Sequence, residues 1–140
     1  HHITLQSSAT SGVPSAVVVD RITARRQSIA MASVVKELIG NKRRPMLIVD
    51  APPVGMNSGE MGARYSASRG YRKFASEAHY LLQTSGSGVL ELRSDWFEIL
   101  SQVVANNEQP VIFGFTYILY SVLLQQMLER GYQTERNGKQ

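Results

Sequence analysis

Short continuous apolar runs alternate along the chain with longer stretches of helical period. Ala16 to Val19 is β-branched and apolar and ends at Asp20, a good helix N-cap, so a strand feeding a helix is expected. Beyond it Ile22, Ile29, Ala30, Ser33, Val34, Leu38 and Ile39 keep an approximate helical period until Gly40-Asn41 stops it. Pro45 introduces Met46-Leu47-Ile48-Val49, closed by Asp50 and Pro52-Pro53, the pattern of a central parallel strand buried on both faces. Residues 54–62, with three glycines plus Asn57 and Ser58, read as an exposed loop. A polar helix is expected over 63–82, although Gly70 inside it costs about 1 kcal/mol relative to alanine. Thr84-Ser85-Gly86-Ser87-Gly88 breaks the chain before a short strand at Val89-Leu90-Glu91-Leu92. Asp95 with Glu98 three residues on reads as a capping box for a helix reaching Asn106. Pro110 to Phe115 reads as a second buried strand, followed by a strongly apolar helix over 117–130 with Gly131 as its stop. This alternation predicts an α/β fold, a mostly parallel sheet with helices on both faces, forming one domain over 3–131. Residues 132–140 read as a frayed polar tail.

Composition narrows the class. A 140-residue chain with 43% hydrophobic content can close one ordinary core. The longest apolar stretch, Pro110 to Met127, is interrupted by Gly114, Thr116, Ser121 and Gln125-Gln126, so no membrane span is expected. His1 and His2 read as a tag remnant, and no secretory leader follows. Without cysteine the chain has no disulfide, thiolate metal site or cysteine nucleophile, and the cytoplasm suits it. The net charge of +4 is concentrated at Arg25-Arg26 and Lys42-Arg43-Arg44. The second cluster follows a helix end, where cations face the carbonyl-rich terminus, and aromatic residues are not interleaved with either. Nucleic acid is therefore not expected as a partner.

The segment richest in chemistry is Ser7-Ser8-Ala9-Thr10-Ser11-Gly12-Val13-Pro14-Ser15. Its hydroxyls can donate to phosphate oxygens, and small side chains let successive backbone N–H groups form an anion-binding concavity. Gly12 permits a positive φ, and Pro14 stiffens the exit. From composition alone a flexible Ser/Thr linker is the preferred reading. In its order, however, the segment resembles the phosphate-binding loop of the adenylate-forming superfamily, Ser/Thr-Ser-Gly-Thr-Thr/Ser-Gly-x-Pro-Lys or Pro-Ser. Two positions depart from it: Ala9 stands where the family usually has glycine, and Ser15 where most members have lysine. The Pro14-Ser15 ending, the apolar strand and Asp20 are similar to the acyl-protein synthetases, which supply activated fatty acid to the reductase of bacterial luminescence. Arg44-Pro45-Met46-Leu47-Ile48-Val49-Asp50 and Val111-Ile112-Phe113-Gly114-Phe115-Thr116 also look like that family.

The resemblance implies an adenylate-forming ligase domain that uses ATP and Mg to activate a fatty or other carboxylic acid as an acyl-adenylate. The acyl group then passes to a protein thiol, so an acyl-acceptor protein is an implied partner. Ser7, Ser8, Thr10, Ser11 and Gly12 would contact the ATP phosphates, and no catalytic or metal-ligating side chain is assigned. The family's adenine-binding segment, ribose-binding aspartate, C-terminal-domain lysine and acceptor cysteine are not found, so the chain reads as an N-terminal piece that does not complete turnover alone. The alternative is a non-catalytic α/β module that binds a nucleotide or a protein. Among the remaining candidates, Phe113-Gly114-Phe115-Thr116 superficially resembles the superfamily's adenine and magnesium motif. Tyr117 stands in place of its glutamate, and core packing is the preferred reading. Asp20 and Asp50 read as cap or turn residues, and His79 as a surface histidine on a polar helix. The apolar helix bearing Tyr117, Tyr120, Leu124 and Met127 suits either the core or an interface, including one with a second copy of the chain.

Overall fold

The computed structural model describes residues 3–6, 15–53, 63–106 and 109–130. The loop expected at 54–62, the Gly131 stop and the tail at 132–140 lie outside them. The chain divides into two compact units, His1–Arg43 with Pro53–Ser76, and Arg44–Pro52 with Glu77–Gln140.

In the first unit, strand β1 (Ile3–Gln6) pairs antiparallel with β2 (Ala16–Val19), Ile3 opposite Val19 and Gln6 opposite Ala16. Helix α1 (Arg21–Ile39) follows at once. The Asp20 carboxylate accepts the Thr23 N–H at 2.7 Å, which satisfies one of the amides that a helix start leaves unpaired. At the other end Gly40 adopts φ +80°, and its N–H donates to Lys36 O at 2.9 Å, closing the helix as expected. Burial does not follow the predicted stripe. Val35 is the buried residue of α1, whereas Ile22, Ile29, Val34 and Leu38 are all exposed.

Helix α2 (Ala63–Arg72) lies against β1 and is shorter than expected. The Phe74 N–H donates to Tyr71 O at 2.9 Å in a closing turn, and the chain then becomes β4 (Ala75–Tyr80) and β5 (Leu82–Thr84). The helix predicted to reach residue 82 is thus corrected. Sheet pairing overrides local propensity, because Ala-Ser-Glu-Ala-His-Tyr can alternate across a pleat as readily as it can coil.

The second unit is built on β3 (Arg44–Val49), which occupies the centre of a three-stranded sheet of order β4-β3-β7, with β7 (Val111–Gly114) parallel to it. Met46 lies opposite Val111 and Val49 opposite Gly114. Leu47, Ile48 and Val49 are fully inaccessible, as a continuous apolar run covered on both faces requires. Beyond β4, Leu81 N–H and Leu82 N–H donate to Ile48 O and Asp50 O. β5 forms an antiparallel hairpin with β6 (Leu90–Leu92). Its turn is closed by the Ser85 N–H donating to Val89 O and the Gly88 N–H donating to Ser85 O, and Gly88 takes φ +80°.

Helix α3 (Trp96–Ala105) follows, then β7 and α4 (Thr116–Ile118). The last helix continues through a π-helical stretch, Leu119–Leu124, and is α-helical again over 125–130. The Ser121 hydroxyl donates to Tyr117 O at 2.6 Å, taking the carbonyl that an α-helix would offer to the Ser121 amide. Leu47, Val49, Leu82, Leu92, Val103 and Leu123 are central to the core of this unit.

Two local expectations are corrected here. Asp95 does begin α3, but its side chain makes no capping bond. Both of its oxygens instead accept from Arg93, at 2.8 and 2.7 Å, and this chelation draws the carboxylate away from the helix amides. β7 is expected to be buried, yet among the described residues it borders β3 on one side only and Ile112 is 62% exposed, so one of its faces is open.

Candidate functional site

Gln6 and Ala16 are paired across β1 and β2, so the residue before the hydroxyl-rich segment lies opposite the residue after it. Ser7, Ser8, Thr10, Ser11 and Gly12, the residues expected to meet phosphate, lie outside the described residues. Ser15 is described and exposed, immediately before β2. The exit strand β2 leads through Asp20 into α1 with no intervening loop, so a hairpin and a capped helix fix the course of the chain after the motif. The Thr23 amide and hydroxyl hold the Asp20 carboxyl below its usual range, which keeps it ionised and committed to the cap.

Asp50 follows the central strand at the carboxyl end, where open α/β sheets present ligand groups. It is buried at 7% exposure, and its Oδ1 accepts the Ala51 N–H at 2.8 Å, so it shapes the turn into Pro52, as expected of a turn residue. In the segment resembling an adenine motif, Phe113 is half-buried, Thr116 is exposed and Tyr117 is 80% exposed. Gly114 faces Val49 so closely that an added Cβ would lie 2.7 Å from the Val49 Cβ, which makes this glycine a strand-packing requirement.

His79 is corrected from a helix surface to strand β4. Its Nε2 is shielded from solvent and lies 3.4 Å from Glu77 Oε1, without the alignment of a hydrogen bond. Among the described residues no cluster of three or more His, Asp or Glu side chains is placed to hold a metal ion. No helix among them is long and apolar enough to cross a membrane.

The hydroxyl-rich segment, the strand and capped helix after it, and the Arg44–Val49 and Val111–Gly114 strands are parts of one sequence pattern. A model of the family described as "Acyl-protein synthetase, LuxE" matches residues 2–138. The chain belongs to the acyl-protein synthetase family. The match spans both compact units and takes in every residue expected to contact phosphate. The family is one of ATP-dependent ligases. Neither the curated proteins nor the solved structures contain a match.

Lys73 is a residue that sequence reading passed over. It was placed inside a continuous helix, whereas it follows the end of α2, with its ammonium 5.2 Å from the centre of the Phe74 ring. The Lys-Phe pair directly before an alternating segment was the available signal.

Proposed function

We propose that the chain carries the phosphate-binding loop of an adenylate-forming ligase, which activates a fatty acid with ATP for transfer to a protein thiol. The observation that carries this reading is the family match across Ser7 to Ser15, a segment whose residue types suit phosphate. In the proposed reaction a carboxylate oxygen bonds to the α-phosphorus of ATP and the bond to pyrophosphate breaks. Negative charge accumulates on the departing β and γ phosphates, so hydroxyl and amide donors from Ser7, Ser8, Thr10, Ser11 and Gly12 stabilise the transition state more than the ground state. Mg belongs with those phosphates, since this ion keeps most of its water and binds through substrate oxygens rather than an all-protein cage.

The test is fatty-acid-dependent exchange of pyrophosphate into ATP by the native gene product. Replacing Thr10 and Ser11 together by alanine is expected to slow exchange roughly a hundredfold, as loss of transition-state donors does elsewhere. Ala9→Gly, which restores the superfamily's usual residue, is expected to tighten ATP binding severalfold, because a Cβ costs about 1 kcal/mol where positive φ is needed. Exchange that is absent with fatty acids of every chain length, or is indifferent to Thr10 and Ser11, would sink the proposal.

A further inference from the structure

We propose that the cleft at the carboxyl end of α1 is a second anion site, built for a soluble phosphorylated amphiphile and separate from the hydroxyl-rich loop. The cleft has a volume of about 400 Å³ and lies wholly within the first unit. Lys36, Lys42, Arg43 and Lys73 line it, no carboxylate does, and half-buried Ile39 and Phe74 contribute an apolar wall. The cations come from three places in the chain: the last turn of α1, the segment after Gly40, and the turn after α2.

The ordinary explanation of basic residues at this position is the helix dipole. A helix carboxyl end carries only about half a negative charge, so the dipole leaves roughly three and a half of the four positive charges unbalanced. No ion pair joins Lys36, Lys42, Arg43 or Lys73 to a carboxylate among the described residues. Lys73 moreover belongs to a different helix end, and the Phe74 ring beneath its ammonium holds it at the cleft. A singly charged carboxylate uses little of this field, whereas a phosphate monoester, with nearly two charges and three acceptor oxygens, can engage several of the cations at once. The apolar wall then suits the first methylenes or a ring of the same molecule. A concave cleft of this size fits a free molecule better than a headgroup held in a flat bilayer.

Anion binding at this cleft is independent of the ligase reading and is measured without turnover. Octyl phosphate, octanoate and inorganic phosphate are titrated calorimetrically into the chain at low ionic strength, and phosphatidic-acid vesicles are tested by co-sedimentation. Octyl phosphate is expected to bind at least about tenfold tighter than either control and to weaken as salt rises through roughly 0.1 M. The Lys36→Gln/Lys73→Gln variant, with its fold checked by circular dichroism, is expected to lose at least tenfold in affinity. Phe74→Leu is expected to weaken octyl phosphate more than inorganic phosphate, because it removes the ring from the apolar wall as well as from beneath Lys73. Equal binding of octanoate, binding unaffected by the double substitution, or binding to vesicles without binding of free octyl phosphate would each overturn the proposal.

Discussion

Asp20 and Asp95 have similar sequence credentials as helix caps, and their neighbours give them different tasks. Thr23 engages Asp20 through its backbone and hydroxyl, while Arg93 takes both oxygens of Asp95. Both carboxyls are held below their ordinary value of 3.8, Asp20 chiefly by the Thr23 amide and Asp95 chiefly by the hydrogen bonds from Arg93. A carboxyl whose folded-state pKa is lowered contributes stability that is complete above its unfolded value and is lost as pH falls through the folded one. The thermal midpoint should therefore drop as pH falls below 3.8, and Asp20→Asn, which keeps a capping oxygen, should flatten part of that drop. An unchanged acid profile in Asp20→Asn would show that the cap does not titrate with folding. His79 illustrates the reverse problem: its residue type suggested an exposed helix position, and only the pairing of β4 shows its Nε2 to be shielded.

At the scale of elements, the boundaries fall where glycine geometry and close packing place them. Gly40 holds φ +80° with open space around its Cα, so Gly40→Ala should cost about 1 kcal/mol through backbone strain alone. Gly86 also has open space and no positive φ; Gly86→Ala should stay within roughly 0.5 kcal/mol. Gly114 is the opposite case, because the added methyl would meet Val49 at 2.7 Å in the adjacent strand. Gly114→Ala should cost about 1–3 kcal/mol, and Val49→Ala in the same chain should recover part of that loss, as contacting residues do not behave additively. Denaturant midpoints distinguish these outcomes, and additive losses at residues 49 and 114 would contradict the packing account. The end of α2 at Arg72 was not legible in the sequence, because Ala75 to Tyr80 contains no glycine or proline to mark the change from helix to strand.

For the molecule as a whole, apolarity alone did not determine burial. Leu82 is fully inaccessible in the core of the second unit, whereas Leu38 is 78% exposed on α1 despite its helical spacing. Leu82→Ala should cost about 2–5 kcal/mol by leaving a cavity. Leu38→Ala should shift stability by no more than about 0.5 kcal/mol. Chemical denaturation of the two variants compares them directly, and a large loss in Leu38→Ala would mean that α1 buries that face. The sequence by itself determined the class and the main elements: the strand ending at Asp20, the capped helix to Gly40, the buried central strand and the helix from Asp95 to Asn106. It also carried the resemblance to the acyl-protein synthetases that the family match bore out, because the order of residues within a segment is a local property. Tertiary structure alone decided the conversion of Ala75–Tyr80 from helix to strand, the edge position of β7 and the exposure of much of α1. It also brought Lys73 beside Lys36, Lys42 and Arg43. The physical reason is common to all of these: strand pairing and burial depend on residues distant in the chain, and local period records only which faces are able to be covered.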